Sequence, residues 1–172
     1  MVRRRLLLAG AASAGALLSG CGSSASGGGN GHGRRESEAD RAGDIELIGG
    51  LLVLERQSVA LYTHKPGRLF RRLAAHEREH VAQLEEELRR RGATAKPQGW
   101  MGRGGTPLEL ARRVEETSIA AYLDALPKVV DAGLRGVLAT IVAAEASHLA
   151  EVRRAQGLVP ADQSFVTGRR SL

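Results

Sequence analysis

Glu77-Arg78-Glu79-His80 and Glu145-Ala146-Ser147-His148 are the two stretches around which this chain is organised. Each is a Glu-x-x-His inside a helical, amphipathic run. Residues three apart share one face of a helix, so the carboxylate and imidazole of each pair can reach a common ion. Each pair is preceded by another helical run that carries a glutamate on its apolar stripe, Glu55 and Glu115. Aromatic residues are only 3% of the chain, and Ala, Leu and Val supply most of its apolar content, which favours helices over strands. The expected class is all-α.

Four helices follow from the periodicity. In the first, Ile45, Ile48, Leu52, Glu55, Val59 and Tyr62 share one face, with Asp44 as the expected N-cap and Lys65-Pro66-Gly67 as the stop. The second spans residues 68–91, with Leu69, Leu73, Glu77, His80, Leu84 and Leu88 inward and Gly92 ending it. A turn that short makes the two helices antiparallel neighbours. Glu55 and Glu77 lie about nine and ten residues from it, which at ~1.5 Å per residue puts them at nearly one depth. Thr106-Pro107-Leu108-Glu109 opens the third helix with a capping box, and its stripe is Leu108, Ala111, Glu115, Ile119 or Ser118, Tyr122 and Leu126, before Pro127 kinks or ends it. The fourth starts after Asp131 or Gly133, buries Leu138, Ile141, Glu145, His148 and Val152, and stops at Gly157. Between the second and third helices, Gly92 to Gly105 is a connection of about fourteen residues. It reaches ~45 Å when extended, enough to cross the length of a bundle. Trp100 and Met101 are expected to pin it.

The two helix pairs repeat one another. Leu54 to Tyr62 aligns with Val114 to Tyr122, and Leu73 to His80 aligns with Ile141 to His148. The chain thus offers Glu, Glu-x-x-His, Glu, Glu-x-x-His in order. Four carboxylates in one apolar layer repel each other unless cations are held between them. Four carboxylates and two imidazoles suit iron or manganese.

This pattern resembles the ferritin-like superfamily of di-iron carboxylate proteins, of the bacterioferritin and rubrerythrin type, over Asp44 to Gly157. The resemblance implies an antiparallel four-helix bundle with one longer crossover between helices two and three. It implies two iron ions, or manganese, with Glu55, Glu77 and His80 on one, Glu115, Glu145 and His148 on the other, and Glu77 and Glu145 bridging. It also implies oxidation of ferrous iron, or reduction of dioxygen or peroxide. The long N-terminal extension and short helices depart from mineral-storing ferritins. A ferritin-like module that binds or docks without turnover is the alternative. His76-Glu77-Arg78-Glu79-His80 also spells the zinc metallopeptidase His-Glu-x-x-His, with His76 and His80 as ligands, but Ala144 replaces the first histidine in the second copy.

The ends read as address and appendage. Met1 to Cys21 has a basic start (Arg3-Arg4-Arg5), an apolar run from Leu6 to Leu18 too short for a comfortable membrane span, and Leu18-Ser19-Gly20-Cys21, which resembles a bacterial lipobox with Cys21 as the lipidated residue. Export by either the general or the twin-arginine route fits the basic start. Two acyl chains anchor stably, so the expected place is the outer side of the cell membrane. Residues 22–43, rich in Gly and Ser, are expected to be a tether, residues 44–157 the bundle, and residues 158–172 a tail that folds back through Phe165 and Val166. Without Arg3, Arg4 and Arg5, the formal charge of +6 falls to about +3, and Glu and Arg interleave as in Glu85-Glu86-Glu87-Leu88-Arg89-Arg90-Arg91. That reads as a solvated face and excludes a nucleic-acid footprint. A homodimer is compatible with the pattern. For Tyr62 and Tyr122 the expectation is core packing with a satisfied hydroxyl, the alternatives being electron relay or a hydrogen bond to a ligand.

Overall fold

The computed structural model describes residues 37–95 and 104–160. Cys21, the expected tether as far as residue 36, Trp100, Met101, Phe165 and Val166 lie outside the described residues. Four helices account for the rest: α1 (Glu38–Thr63), α2 (Arg68–Arg90), α3 (Pro107–Ala125) and α4 (Ala132–Ala155). Among the described residues no helix is long and apolar enough to cross a membrane.

The helix ends follow local chemistry. The Ser37 hydroxyl accepts from Asp40 N at 3.1 Å while Asp40 accepts from Ser37 N, so a capping box starts α1. This corrects the expected N-cap at Asp44 and carries the helix into the stretch read as tether. Thr106 and Glu109 form the expected capping box on α3, and Asp131 caps α4 by accepting from Leu134 N at 2.8 Å. Both α2 and α4 end on a glycine at positive φ, Gly92 at 71° and Gly157 at 74°. The backbone then folds back through Ala93 N to Leu88 O and Leu158 N to Arg153 O, each 2.9 Å.

Around the bundle the order is α1, α2, α4, α3, each helix packing on its two neighbours. Two apolar clusters show every neighbouring pair to be antiparallel. At one end Ile48, Leu51 and Leu52 of α1 meet Tyr122 and Ala125 of α3, Leu84 and Leu88 of α2, and Leu134, Leu138 and Ile141 of α4. At the other end Leu61, Tyr62, Phe70, Leu73, Ala111 and Val152 come together. In this arrangement α2 ends where α4 begins and α3 begins at the opposite end, so the connection between α2 and α3 must run the full length of the bundle. It is the antiparallel four-helix bundle with one long crossover.

The inward stripes are rotated slightly from the expected ones. Leu51, Ser58, Leu61 and Phe70 are buried, whereas Ile45, Val59 and Leu69 are only partly covered. Ser118 and Ile119 are both buried. Glu87 is buried too, against the reading of Glu85-Glu86-Glu87 as solvated surface. Its Oε2 accepts from Arg91 Nη1 at 2.6 Å and its Oε1 from Arg90 Nη1 at 2.9 Å. Asp44, expected at a helix end, is 1% exposed and accepts from Val130 N and Asp131 N at 3.1 and 3.2 Å, holding the α3–α4 connection against α1.

Candidate metal centre

Between the two apolar clusters lies one charged layer. Glu55 of α1, Glu77 and His80 of α2, Glu115 of α3, and Glu145 and His148 of α4 face one another there. All four glutamates are 0% exposed, His80 is 7% and His148 is 3%. The helical spacing aims each Glu-x-x-His inward, and the antiparallel turns bring Glu55 and Glu115 to the same level.

The geometry sorts these six into two overlapping sets. Ligand atoms of Glu55, Glu77, His80 and Glu145 lie within 4.8 Å of one another, and so do those of Glu77, Glu115, Glu145 and His148. Glu77 and Glu145 belong to both. His80 Nδ1 stands 2.8 Å from Glu145 Oε1 and 3.4 Å from both Glu55 Oε2 and Glu77 Oε2. His148 Nδ1 stands 3.1 Å from Glu77 Oε1 and 3.8 Å from oxygens of Glu115 and Glu145.

These close contacts are short in distance but poor in hydrogen-bond geometry. Glu55 Oε2, both oxygens of Glu77, His80 Nδ1, Glu115 Oε2, both oxygens of Glu145 and His148 Nδ1 are buried without a hydrogen-bond partner of good geometry. Leaving one buried polar atom unpartnered costs about 1–3 kcal/mol, and a buried charge costs more. The concentration of such atoms in one layer makes it a site that could hold metal ions, with an oxygen-rich donor set.

The protonation pattern points the same way. Burial pushes Glu55 up to about 8 and Glu115 well above the usual carboxylate range. Burial also acts to raise Glu77 and Glu145, but the imidazoles of His148 and His80 outweigh it and hold both carboxylates below that range. Burial by itself would lower the two histidines, yet the surrounding glutamates, Glu145 foremost, push His80 up to about 12 and His148 up to about 9. By itself, the layer therefore reaches neutrality near pH 7 by holding protons on Glu55, Glu115, His80 and His148. Two divalent ions against four carboxylates give the same balance with those protons displaced.

Both tyrosines are tied to the layer, and crosswise. Tyr62 of α1 donates to Glu115 Oε1 on α3, while Tyr122 of α3 donates to Glu55 Oε1 on α1 at 2.5 Å. Burial and the adjacent carboxylates raise both phenols, so they remain protonated donors. The hydroxyls are satisfied, as expected, and their partners are candidate ligands of the opposite helix pair.

His76 does not join His80 on a shared ion. Its Nδ1 lies 3.0 Å from His148 Nε2, and neither ligand set among the described residues contains it. Among the described residues the stretch therefore places His80, and not His76, with the other candidate ligands.

Comparison with known proteins agrees with this architecture. No curated protein sequence gives a significant match. A conserved hypothetical protein from Mycobacterium tuberculosis superposes with a TM-score of 0.62 at 19% identity, over 73% of this chain and 99% of that one. A ferritin-like, di-iron-carboxylate protein from Bacillus anthracis str. Ames superposes with a TM-score of 0.61 at 20% identity, over 69% of this chain and 99% of that one. The family model for the ferritin-like domain matches residues 35–158. A four-helix bundle closed around a buried carboxylate and histidine layer, with a family match over most of its length, makes this chain a member of the ferritin-like domain family.

Proposed function

We propose that the central layer holds two iron or manganese ions, and that the protein uses them to oxidise ferrous iron or to reduce dioxygen or peroxide at the cell envelope. The observation that carries this reading is the convergence of buried, unpartnered ligand atoms into two sets that share Glu77 and Glu145. In this reading Glu55, Glu77, His80 and Glu145 would hold one ion and Glu77, Glu115, Glu145 and His148 the other, with Glu77 and Glu145 serving both sets. The similar Bacillus anthracis protein, described as a di-iron-carboxylate protein, supports that donor set.

Bound there, the ions would supply one-electron chemistry that the side chains lack. The protein's own contribution is positional. Tyr62 and Tyr122 hold the terminal carboxylates by one oxygen each, leaving the second oxygen directed into the layer. The apolar clusters at either end keep bulk water out, so the charges act in a medium of low dielectric. Cys21, lipidated, would hold the domain to the outer face of the membrane, with the residues after it as tether.

The test is metal analysis of the full chain beside a Glu77→Ala/Glu145→Ala variant. Two equivalents in the first and close to none in the second are expected, and equal, sub-stoichiometric metal in both would refute the assignment. Ferrous oxidation by the loaded protein then separates an oxidoreductase from a module that holds its ions without turnover, a reading that the near-complete burial of the layer also fits.

A further inference from the structure

The two helix pairs repeat their ligands but not their surroundings. Where the repeat aligns Leu73–His80 with Ile141–His148, His76 stands opposite Ala144. His76 sits one turn before His80 on α2 and is half-buried at the edge of the layer. Across the α2–α4 contact its Nδ1 is 3.0 Å from His148 Nε2, and the two rings meet edge to edge, with centroids 5.2 Å apart and planes within 23° of one another. The other nitrogen of His148, Nδ1, is the one turned toward the carboxylates, 3.1 Å from Glu77 Oε1.

An imidazole that binds a cation through Nδ1 must carry its proton on Nε2. In His148 that proton has an acceptor already in place, His76 Nδ1, so His76 in turn keeps its own proton on Nε2. An outer partner of this kind fixes the tautomer and rotation of the ligand ring and raises its basicity. A methyl group at Ala144 offers no such acceptor to the other half.

We propose that His76 is a positioning residue for His148, and that it makes the metal position built on Glu115 and His148 the tighter of the two. The inference rests on the two-metal reading of the layer. It gives a role to the first histidine of the His-Glu-x-x-His stretch as the outer partner of a ligand, and it makes the two halves inequivalent despite their matching ligands.

Titrating the metal-free full chain with Co2+ and following heat and visible absorption tests this. Wild type takes up two equivalents in two unequal steps. His76→Phe keeps an aromatic ring but removes the acceptor, and weakens the tighter step by roughly 10–100-fold while leaving the other. His76→Asn places a carbonyl oxygen close to where Nδ1 stood and restores most of the affinity and the wild-type absorption. Should His76→Phe fail to fold, His76→Ala against His76→Asn carries the same expectation. The proposal is overturned if the ring variant binds like wild type, if both steps weaken equally, or if Asn is as weak as Phe with unchanged helicity and melting. A wild type that takes up no second equivalent overturns the two-metal reading as well, which tells the two failures apart.

Discussion

Two buried charged regions of this bundle are built in opposite ways. At one end Glu87, Arg91, Asp131 and Asp44 form a cluster that satisfies itself. Arg91 Nη1 donates to Glu87 Oε2 at 2.6 Å, its Nη2 lies 3.0 Å from Asp131 Oδ2, and Asp44 takes two backbone N–H groups of the α3–α4 connection. Of its buried side-chain atoms only Arg91 Nε lacks a partner among the described residues. In the middle, four glutamates and two histidines leave their inner atoms without a well-formed hydrogen bond and aimed at common points. Burial alone therefore does not mark a functional site. A structural cluster carries its countercharge in the chain, whereas the central layer needs protons or cations from outside.

The contrast is sharpest on metal removal. At free metal a hundredfold above Kd, each site adds about 2.7 kcal/mol, so chelation should cost the loaded protein roughly 5 kcal/mol. Calorimetric melting with and without a chelator would show it, and identical melting in both would break the contrast. The difference should widen with pH. Glu55 and Glu115 have raised folded values, so the metal-free protein loses stability as pH rises above about 4.5, where the unfolded carboxylates ionise. His80 and His148 stabilise it fully below about 6.5, and that contribution fades as pH climbs through their folded values of about 12 and about 9. The two trends run downward together from about pH 6.5 to about pH 8, and the histidine trend continues beyond that. Metal uptake gains over the same range because fewer protons compete. Melting temperature of the chelated protein against pH is the measurement.

The end cluster should respond to breakage instead. Arg91→Ala leaves Glu87 buried with Arg90 as its remaining ion-pair partner, at a cost of about 3 kcal/mol in denaturant unfolding and no change in metal stoichiometry. Loss of metal in that variant would mean that the two regions are coupled. Tyr122→Phe is the smallest step. Removing the donor to Glu55 Oε1 should lower stability by about 1 kcal/mol while both equivalents still bind, read by melting and metal analysis on the same sample.

The helices, the short turn, the crossover and all six layer residues were legible because each leaves a local or periodic mark: a capping box at Thr106, a glycine stop at Gly92, a charge interrupting an apolar stripe. Ser37-Glu38-Ala39-Asp40 carries a capping box as well, so the true start of α1 was readable and was masked by the Gly-rich stretch before it. The buried roles of Asp44, Glu87 and Arg91 were not readable. Their partners lie on other elements, and a Glu-Glu-Glu-Leu-Arg-Arg-Arg run looks the same in sequence whether one of its residues turns inward or none does.

The chain's periodicity determined the inward face of each helix to within a small rotation, and that a repeated Glu and Glu-x-x-His would share a layer, since a 3.6-residue turn and a short loop leave little freedom. Which atoms of that layer meet was decided only when four helices packed. The order α1, α2, α4, α3 sets each tyrosine on the glutamate of the opposite pair and sets His76 on His148, because contacts between helices depend on their rotation and neighbours, and neither is written in the spacing along a single helix.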